Sequence, residues 1–256
     1  MGNSHGRTGY LSSLSPIELT ALAVSASVAM FLIVDPLVLG AVRSLGPDTY
    51  TFFRGLTHLG RSNWILIPSA LLLVALYWLR ARDSGTRRAT VYAYVSQILV
   101  FIFAAIAVSG LAASLIKNVI GRARPKMFDL YGPVEFQPMT FDADYASFPS
   151  GHSTTAGALA AILAILWPSA RIPFFIAGAW IASTRFVIGA HFLSDVIAGF
   201  IFGASVVYLL RNRLATRGWL FRINANGKPE LRGRILLEKA TAKLVSSAAS
   251  LVHSSR

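Results

Sequence analysis

Long apolar segments, separated by short polar or charged ones, make up most of the sequence. Six of them are candidate membrane spans, because a spanning helix needs about 20 apolar residues, within a range of about 17–25. They run approximately over Ile17–Leu39, Trp64–Leu79, Val91–Ile116, Ser153–Trp167, Ile172–Gly189 and Phe192–Leu210. The pattern predicts an all-α polytopic membrane protein, a bundle of six transmembrane helices.

The ends of these segments support this interpretation. Trp64, Trp78 and Trp167 lie at segment ends, where aromatic side chains mark the membrane–water interface. The first segment is too long for the core of a signal peptide and lacks a convincing cleavage site, so we expect it to be retained as a span. Residues 1–210 are therefore expected to form one six-span membrane domain.

Composition narrows the class of protein further. Hydrophobic residues make up 54% of the chain and charged residues 14%, whereas soluble domains carry about 25% charged residues. The net charge of +13 would suit a nucleic-acid-binding protein, but no nucleic-acid-binding motif accompanies it. Cysteine is absent from the sequence, which excludes disulfides and thiolate metal sites. The expected partner is the lipid bilayer, not nucleic acid.

The placement of basic residues predicts the orientation. With both termini on one side of the membrane, that side holds the larger share of the Lys and Arg residues. The positive-inside rule then places both termini in the cytoplasm and the connections after the first, third and fifth spans on the outer side. Compactness and the lack of eukaryotic targeting signals favour the cytoplasmic (inner) membrane of a bacterium.

The tail, residues 211–256, is basic and is expected to be cytoplasmic. Apolar residues recur in it at roughly helical spacing, at Leu237, Ala240, Leu244, Ala248 and Leu251. Two interpretations stay open. The tail is either an amphipathic helix on the inner leaflet or a solvated segment.

The first stretch with chemical character is "KNVIGRARP", which closes the third apolar segment. Lys117 and Arg124 are seven residues apart, about two helical turns, so both can project from one face. Pro125 disfavours helix at Arg124 and turns the chain outward. On this evidence alone the two cations either bind an anion or lie at the interface as charges at a helix end.

The second stretch is "FPSGHSTTAG", which opens the fourth segment. Ser150 is the expected N-cap of a helix. The free N–H groups of a first helical turn form an anion site, Gly151 allows close approach to the backbone, and His152 brings a titratable proton. The alternative is an ordinary capped helix with an interfacial histidine.

The third stretch, "TRFVIGAHFLSD", joins the last two segments. His191 and Asp195 are four residues apart, so on a helix the carboxylate can bond one imidazole nitrogen. That bond would fix the tautomer and leave the other nitrogen free as a nucleophile or base. The alternative is a helix-capping Asp beside a surface His, which does not explain the nearby Arg185.

Together these stretches resemble the type 2 phosphatidic acid phosphatase superfamily, whose signature is K-x6-R-P, then P-S-G-H, then S-R-x5-H-x3-D. The matching residues are Lys117, Arg124, Pro125, Pro149, Ser150, Gly151, His152, Arg185, His191 and Asp195. One position departs from the pattern, because Thr184 stands where the family usually has serine. The six-span layout extends the similarity to most of the chain.

The resemblance implies a membrane-embedded lipid phosphatase that acts through a phosphohistidine. His191 would be the nucleophile, Asp195 would orient it, and His152 would protonate the leaving oxygen. The phosphate would be bound by Lys117, Arg124, Ser150, Gly151 and Arg185. Since side chains supply the positive charge, no metal ion and no cofactor is expected.

Several alternatives stay open at this point. The protein could pass the phosphoryl group to another lipid, as a phosphotransferase does, or be a non-catalytic lipid-binding or transport protein. The lipid is also undetermined, and the family suggests undecaprenyl diphosphate, phosphatidylglycerol phosphate, phosphatidic acid or lipid A. The sequence carries no indication of the oligomeric state.

The outer loop, residues 126–147, is rich in acidic and aromatic side chains. Its acids lack the tight spacing of a metal site, and its aromatic residues are candidates for a lid or a lipid-contacting rim. The acids are Asp129, Glu135, Asp142 and Asp144, and the aromatic residues are Phe128, Tyr131, Phe136, Phe141 and Tyr145. In the first segment, Asp35-Pro36 is expected to end or kink the helix.

Overall fold

The computed structural model describes residue 25 and residues 28–233, which form a helical bundle with one small β-hairpin. The α-helices are α1 (Asp35–Arg43), α2 (Pro47–Leu56), α3 (Asn63–Arg82), α4 (Arg87–Ile120), α5 (Phe128–Tyr131), α6 (Gly151–Leu166), α7 (Arg171–Val187) and α8 (Leu193–Thr216). The antiparallel strands are β1 (Phe221–Ile223) and β2 (Pro229–Leu231). A π-helical turn, Met30–Val34, leads into α1, and a 3₁₀ turn, Thr57–Gly60, follows α2.

The apolar segments of the sequence coincide with helices wherever the structure describes them. Three helical stretches are long and apolar enough to cross a membrane, namely Pro47–Arg82, Arg87–Ile120 and Leu193–Thr216. Helix α6 is apolar but shorter. The predictions of a helical class and of membrane-spanning helices are confirmed, whereas the count of six spans stays a prediction.

Helix α6 is the centre of the bundle and packs against α4, α7 and α8. Most of its residues are buried. Alanine and glycine are frequent in its sequence, and small side chains let neighbouring helix backbones approach closely. The polar end of this helix is therefore held inside the protein by three neighbours.

Glycines make the contact between α6 and α8 unusually close. A Cβ atom at Gly157 would overlap the backbone of Phe200, and one at Gly203 would overlap the carbonyl of Thr154. At Gly199 it would lie 2.5 Å from the carbonyl oxygen of Ser150. The second and third turns of α8 are thereby packed closely against the first half of α6.

The end of α4 is defined by Gly121, which has a left-handed conformation (φ 63°) as the helix C-cap. The following residues are extended and bonded on two sides. The N–H of Ala123 donates to the carbonyl of Glu135 at 2.9 Å, and the N–H of Ser147 donates to the carbonyl of Arg122 at 3.0 Å. The outer loop thus binds the "GRARP" segment and fixes the positions of its cations.

The hairpin at the other end of α8 was not predicted. Leu220 and Phe221 are fully buried, and the Phe221 ring packs on that of Phe101 with centroids 5.0 Å apart. Helix α8 itself continues to Thr216, beyond the expected end of the last span at Leu210. The segment for which an amphipathic helix and a solvated tail were both left open, residues 237–251, lies outside the described residues.

The helix does not end at Asp35-Pro36, which was one of the two outcomes predicted there. Helical backbone continues from the π-helical turn, Met30–Val34, through both residues into α1. The other outcome, a kink, stays a prediction, and the π-helical turn just before α1 is where the helix departs from regular α-helical geometry. Asp35 is buried and has ionic partners, which are described below.

Candidate active site

The start of α6 is built as the sequence predicted. Ser150 is the N-cap, and its side-chain oxygen accepts a bond from the N–H of Ser153 at 3.4 Å and from the Ser153 hydroxyl at 2.9 Å. The N–H of Ser150 donates to the backbone carbonyl of Asp195 at 3.0 Å. The prediction of a capped helix start is confirmed, and this start is tied to α8.

Cations from two helices approach this helix start. Lys117, in the last turn of α4, places Nζ 3.5 Å from where a Cβ would lie on Gly151. Arg185, in the last turn of α7, donates from Nη1 to the Thr57 hydroxyl at 2.9 Å. Among the described residues its buried Nε has no hydrogen-bond partner. These donors are therefore positioned to bind an anion at the first turn of α6.

Arg124 and His152 complete this side of the site. Arg124 donates from Nε to the carbonyl of Ala143 at 2.7 Å, which fixes its side chain on the outer loop. His152 packs against Gly60, where a Cβ would lie 3.1 Å from that of His152. The 3₁₀ turn after α2 therefore contacts His152 through Gly60 and Arg185 through Thr57.

His191 lies in the turn between α7 and α8 and is 3% exposed. Its Nδ1 lies 2.8 Å from the carbonyl oxygen of Ser147. Because a carbonyl can only accept, Nδ1 carries the proton and Nε2 has the free lone pair. The tautomer is the one that a nucleophilic Nε2 requires.

The surroundings also set the charge of this imidazole. Burial lowers the pKa of His191 well below its usual range, because a charged ring would lose its hydration. Nearby positive charges lower this pKa further, and they come from Lys117, Arg124 and Arg185. The structure therefore brings a neutral histidine and the three predicted cations to one place.

The predicted bond between His191 and Asp195 is not made. Asp195 Oδ2 lies 3.9 Å from Nδ1, beyond hydrogen-bond distance. Instead Oδ2 accepts from the Ser147 hydroxyl at 2.6 Å and from the N–H of Phe192 at 2.9 Å. The reason is local, because His191 precedes α8 and the four-residue spacing is not helical there.

Ser147 therefore connects the two residues. Its carbonyl accepts from His191 and its hydroxyl donates to Asp195. Asp195 also caps α8, so the helix-capping alternative describes part of its role. Ser147 was not identified from the sequence, because it lies 44 positions before His191 with no motif of its own.

Arg122, Asp35 and Ser194 were also missed, although they are buried next to Asp195. Arg122 donates from Nη1 to Asp195 Oδ1 at 2.6 Å and from Nη2 to Asp35 Oδ2 at 2.9 Å. A signal was present, since an ionisable residue inside an apolar segment indicates a functional site. Asp35 is such a residue.

Three of the four acids of the outer loop have hydrogen-bonding or ionic partners. Asp129 pairs with Arg43 at 2.7 Å, Asp144 pairs with Lys126, and Asp142 accepts from the N–H of Asp144 at 2.9 Å. Within residues 28–233 no group of three His, Cys, Asp or Glu side chains is arranged to hold a metal ion.

The structure thus places a buried histidine, a capped helix start and several cations together on apolar helices, an arrangement suited to phosphate chemistry at a membrane. The PAP2 superfamily model matches residues 98–219. Lipid A 1-phosphatase of Rhizobium johnstonii is 42% identical over 177 residues, which cover 68% of this chain and 71% of that protein. The chain belongs to the PAP2 superfamily, and the prediction of a hydrolase acting on phosphate esters of membrane lipids is confirmed.

Two further similarities are with proteins of Bacillus subtilis. Phosphatidylglycerophosphatase B is 26% identical over 168 residues, 61% of this chain and 71% of that protein. The crystal structure of a PAP2-type phosphatidylglycerolphosphate phosphatase covers 77% of this chain and 94% of its own, with 21% identity and a TM-score of 0.47.

Proposed function

We propose that the protein removes a phosphate from a membrane lipid at the outer face of a bacterial inner membrane, through a phosphohistidine. The observation that carries this proposal is the bond from His191 Nδ1 to the Ser147 carbonyl at 2.8 Å. It leaves Nε2 free in a buried site surrounded by cations. A nucleophile in a fixed tautomer with a cradle for equatorial oxygens is what phosphoryl transfer requires.

In the first step Nε2 of His191 attacks phosphorus and the bond to the lipid oxygen breaks. His152 gives its proton to that oxygen, so the lipid leaves as an alcohol. Without substrate, burial and then the nearby cations lower the pKa of His152 to about 3. The negative charge of a bound phosphate acts in the opposite direction and favours the protonated form of His152 before this step. In the second step a water attacks the phosphorus of the phosphohistidine and gives a proton back to His152. The bond between phosphorus and Nε2 breaks, which restores neutral His191 and releases inorganic phosphate.

The phosphate oxygens are held by groups from four parts of the chain. Lys117 reaches the start of α6 from α4, and Arg185 reaches it from α7. Arg124 does so from the loop that follows α4. The N–H of Gly151 and the side chain of Ser150 belong to the helix start itself. Donors fixed before the reaction stabilise the charge of the transition state without reorganisation.

Lipid A 1-phosphate is the substrate that we propose. Support comes from relatives with that name in two Rhizobium species, each 42% identical over 177 residues. A glycolipid phosphate also suits a site at the outer headgroup layer. Its acyl chains stay in the bilayer while the phosphate enters between α4, α6 and α7.

The test is a panel of lipids in mixed micelles containing EDTA, with released phosphate and lipid product both measured. We expect lipid A to lose its 1-phosphate, and glucosamine 1-phosphate to react with much lower kcat/KM. Tail burial contributes about 0.8 kcal/mol per CH₂, and remote binding energy helps to align the reacting group.

Each contrary outcome has a distinct meaning. Equal efficiency on lipid A and glucosamine 1-phosphate would exclude a lipid-specific phosphatase. Phosphate recovered on a second lipid would indicate a phosphotransferase. Activity lost in EDTA and restored by magnesium would indicate a metal ion, for which the acidic outer loop is the candidate site. A preference for another lipid would change the proposed substrate but not the proposed mechanism.

The proposed orientation is tested with fusions to a reporter that works only in the cytoplasm. A fusion after Arg256 is expected to be active, since it leaves the buried hairpin intact. A fusion truncated after Thr140, in the exposed part of the outer loop, is expected to be inactive. The reverse pattern would place the reaction at the inner face.

A further inference from the structure

Arg122 joins two carboxylates in a fully buried cluster. Its Nη1 donates to Asp195 Oδ1 at 2.6 Å, and its Nη2 donates to Asp35 Oδ2 at 2.9 Å. Nη1 also reaches the hydroxyl of Ser194 at 2.7 Å. The side chains of all three charged residues have no exposed surface. The two ends of the guanidinium are thus divided between two acids.

Asp35 also holds the start of α8. Its Oδ1 accepts from the N–H of Ser194 at 2.9 Å, and its Oδ2 accepts from the Ser194 hydroxyl at 2.5 Å. Asp35 comes from the first helical segment, outside the region that the family model matches. A residue distant in sequence therefore bonds to the residue next to Asp195.

Two aromatic rings enclose the guanidinium. The Phe31 ring centroid lies 4.4 Å from Cζ of Arg122, and that of Phe192 lies 4.3 Å from it. Cation–π contact of this kind is favourable when the charge is desolvated. The rings also exclude water, so within the cluster the ionic hydrogen bonds fix the position of each group.

We propose that Asp35 is a positioning residue of the active site, acting through Arg122 on Asp195 and from there on Ser147 and His191. This inference rests on the proposed function only for the identity of the nucleophile. Because Nη2 of Arg122 is bonded to Asp35, Arg122 binds Asp195 through Nη1 alone and at a single carboxylate oxygen. The second oxygen of Asp195 is left for Ser147.

Loss of Asp35 would change this division. A guanidinium without its second carboxylate can form a bidentate pair with the remaining one. That pair would draw Asp195 Oδ2 away from the Ser147 hydroxyl. Ser147 would then be held less firmly, and its carbonyl would fix the His191 tautomer less well. The expected consequence is slower phosphoryl transfer with unchanged substrate binding.

The main test is Asp35→Asn in the full-length protein, with kcat and KM measured on a long-chain lipid phosphate that the wild type cleaves. The amide oxygen of the variant can still accept a hydrogen bond from Ser194. The positive charge of Arg122 is then balanced by the single negative charge of Asp195. We expect kcat to fall about 10- to 100-fold, by analogy with loss of the outer-shell partners that orient metal ligands. KM is expected to stay within about twofold of wild type, since the variant leaves the phosphate-binding cations in place.

Two further measurements separate positioning from a general structural effect. Asp35→Asn combined with Ser147→Ala is expected to be no slower than the slower single variant, because both act on one path. Asp129→Asn removes an exposed ion pair of similar length and is expected to leave kcat unchanged. Multiplying effects in the double variant would contradict the proposal.

Arg122→Lys provides a second route if Asp35→Asn does not fold. Lysine keeps the charge but lacks the planar fork that divides between two carboxylates. We expect Arg122→Lys to lower kcat by the same factor as Asp35→Asn. Adding Asp35→Glu to Arg122→Lys is expected to lower kcat little further. A folded Arg122→Lys or Asp35→Asn protein with wild-type kcat would overturn the proposal. A raised KM with unchanged kcat would overturn it too. Absence of phosphohistidine in the wild type would instead refute the proposed function.

Discussion

Replacing His191 by asparagine is expected to abolish phosphate release, with kcat at least about a thousandfold below wild type, as for loss of other catalytic nucleophiles. Asparagine is chosen because its amide nitrogen can take the place of Nδ1 and donate to the Ser147 carbonyl. The buried polar contact is kept while the attacking Nε2 is removed. The fold is therefore expected to survive, and the loss to be chemical.

The measurement combines phosphate release with trapping of the phosphoenzyme. Wild-type protein quenched during turnover of a labelled lipid is expected to carry an acid-labile phosphate, and His191→Asn to carry none. His58→Asn serves as the control, because His58 is an exposed histidine. Near-normal release by His191→Asn would show that another group attacks phosphorus.

The helices and most of the candidate site could be predicted because their signals are local. Apolar segments of sufficient length mark helices wherever they fold. The cations and histidines lie in short motifs at or beside helix ends. The expected helical relation of Lys117 and Arg124 is wrong, because the helix ends at Gly121 and Arg124 is extended. Ser150 was recognised as an N-cap from its own neighbours, and the structure confirms that bond.

The connection between His191 and Asp195 could not be predicted in the same way. Their spacing is that of helical neighbours, but the helix begins at Leu193, after the histidine. The bridging residue, Ser147, comes from a loop that is brought there by tertiary hydrogen bonds. Spacing along the sequence gives no information on such a partner.

Arg122 shows a second limit of prediction from the sequence. It lies inside the quoted motif, yet its partner Asp35 is 87 positions away. The cost of an unpaired acid in an apolar segment is a signal that Asp35 needs a cation nearby, but this signal was not used. The sequence thus indicated the need for a partner without identifying it.

The sequence contained only a weak signal for the hairpin after α8. Its strands have three residues each, too short for an alternating pattern. The connecting loop contains Asn226-Gly227, a pair typical of hairpin turns, and Gly227 has a positive φ of 71°. Burial of Phe221 against Phe101 is what stabilises this short element.

Gly199→Ala is expected to remove most of the activity and to lower stability, although the change adds a single methyl group. The added Cβ would lie 2.5 Å from the carbonyl oxygen of Ser150 and 3.2 Å from its nitrogen. Both atoms belong to backbone, which cannot move aside as a flexible side chain can. The start of α6 must then separate from α8.

That separation would affect the catalytic groups directly. The N–H of Ser150 donates to the backbone carbonyl of Asp195 at 3.0 Å, so the displaced segment carries the phosphate-binding turn away from the residues that support His191. A misplacement of about 1 Å can cost about 100-fold in rate. Overpacking of this kind destabilises by about 1–3 kcal/mol.

Gly110→Ala is the matched control. Apart from its chain neighbours and the nearby backbone of its own helix, no atom of a described residue lies within 4 Å of the added methyl group. Gly110 lies inside α4, where alanine is favoured over glycine by up to about 1 kcal/mol. Thermal unfolding in detergent and kcat/KM on the same lipid are measured for both variants. We expect Gly110→Ala to match or exceed wild-type stability at full activity. Equal behaviour of the two variants would show that close contact between α6 and α8 does not hold the site together.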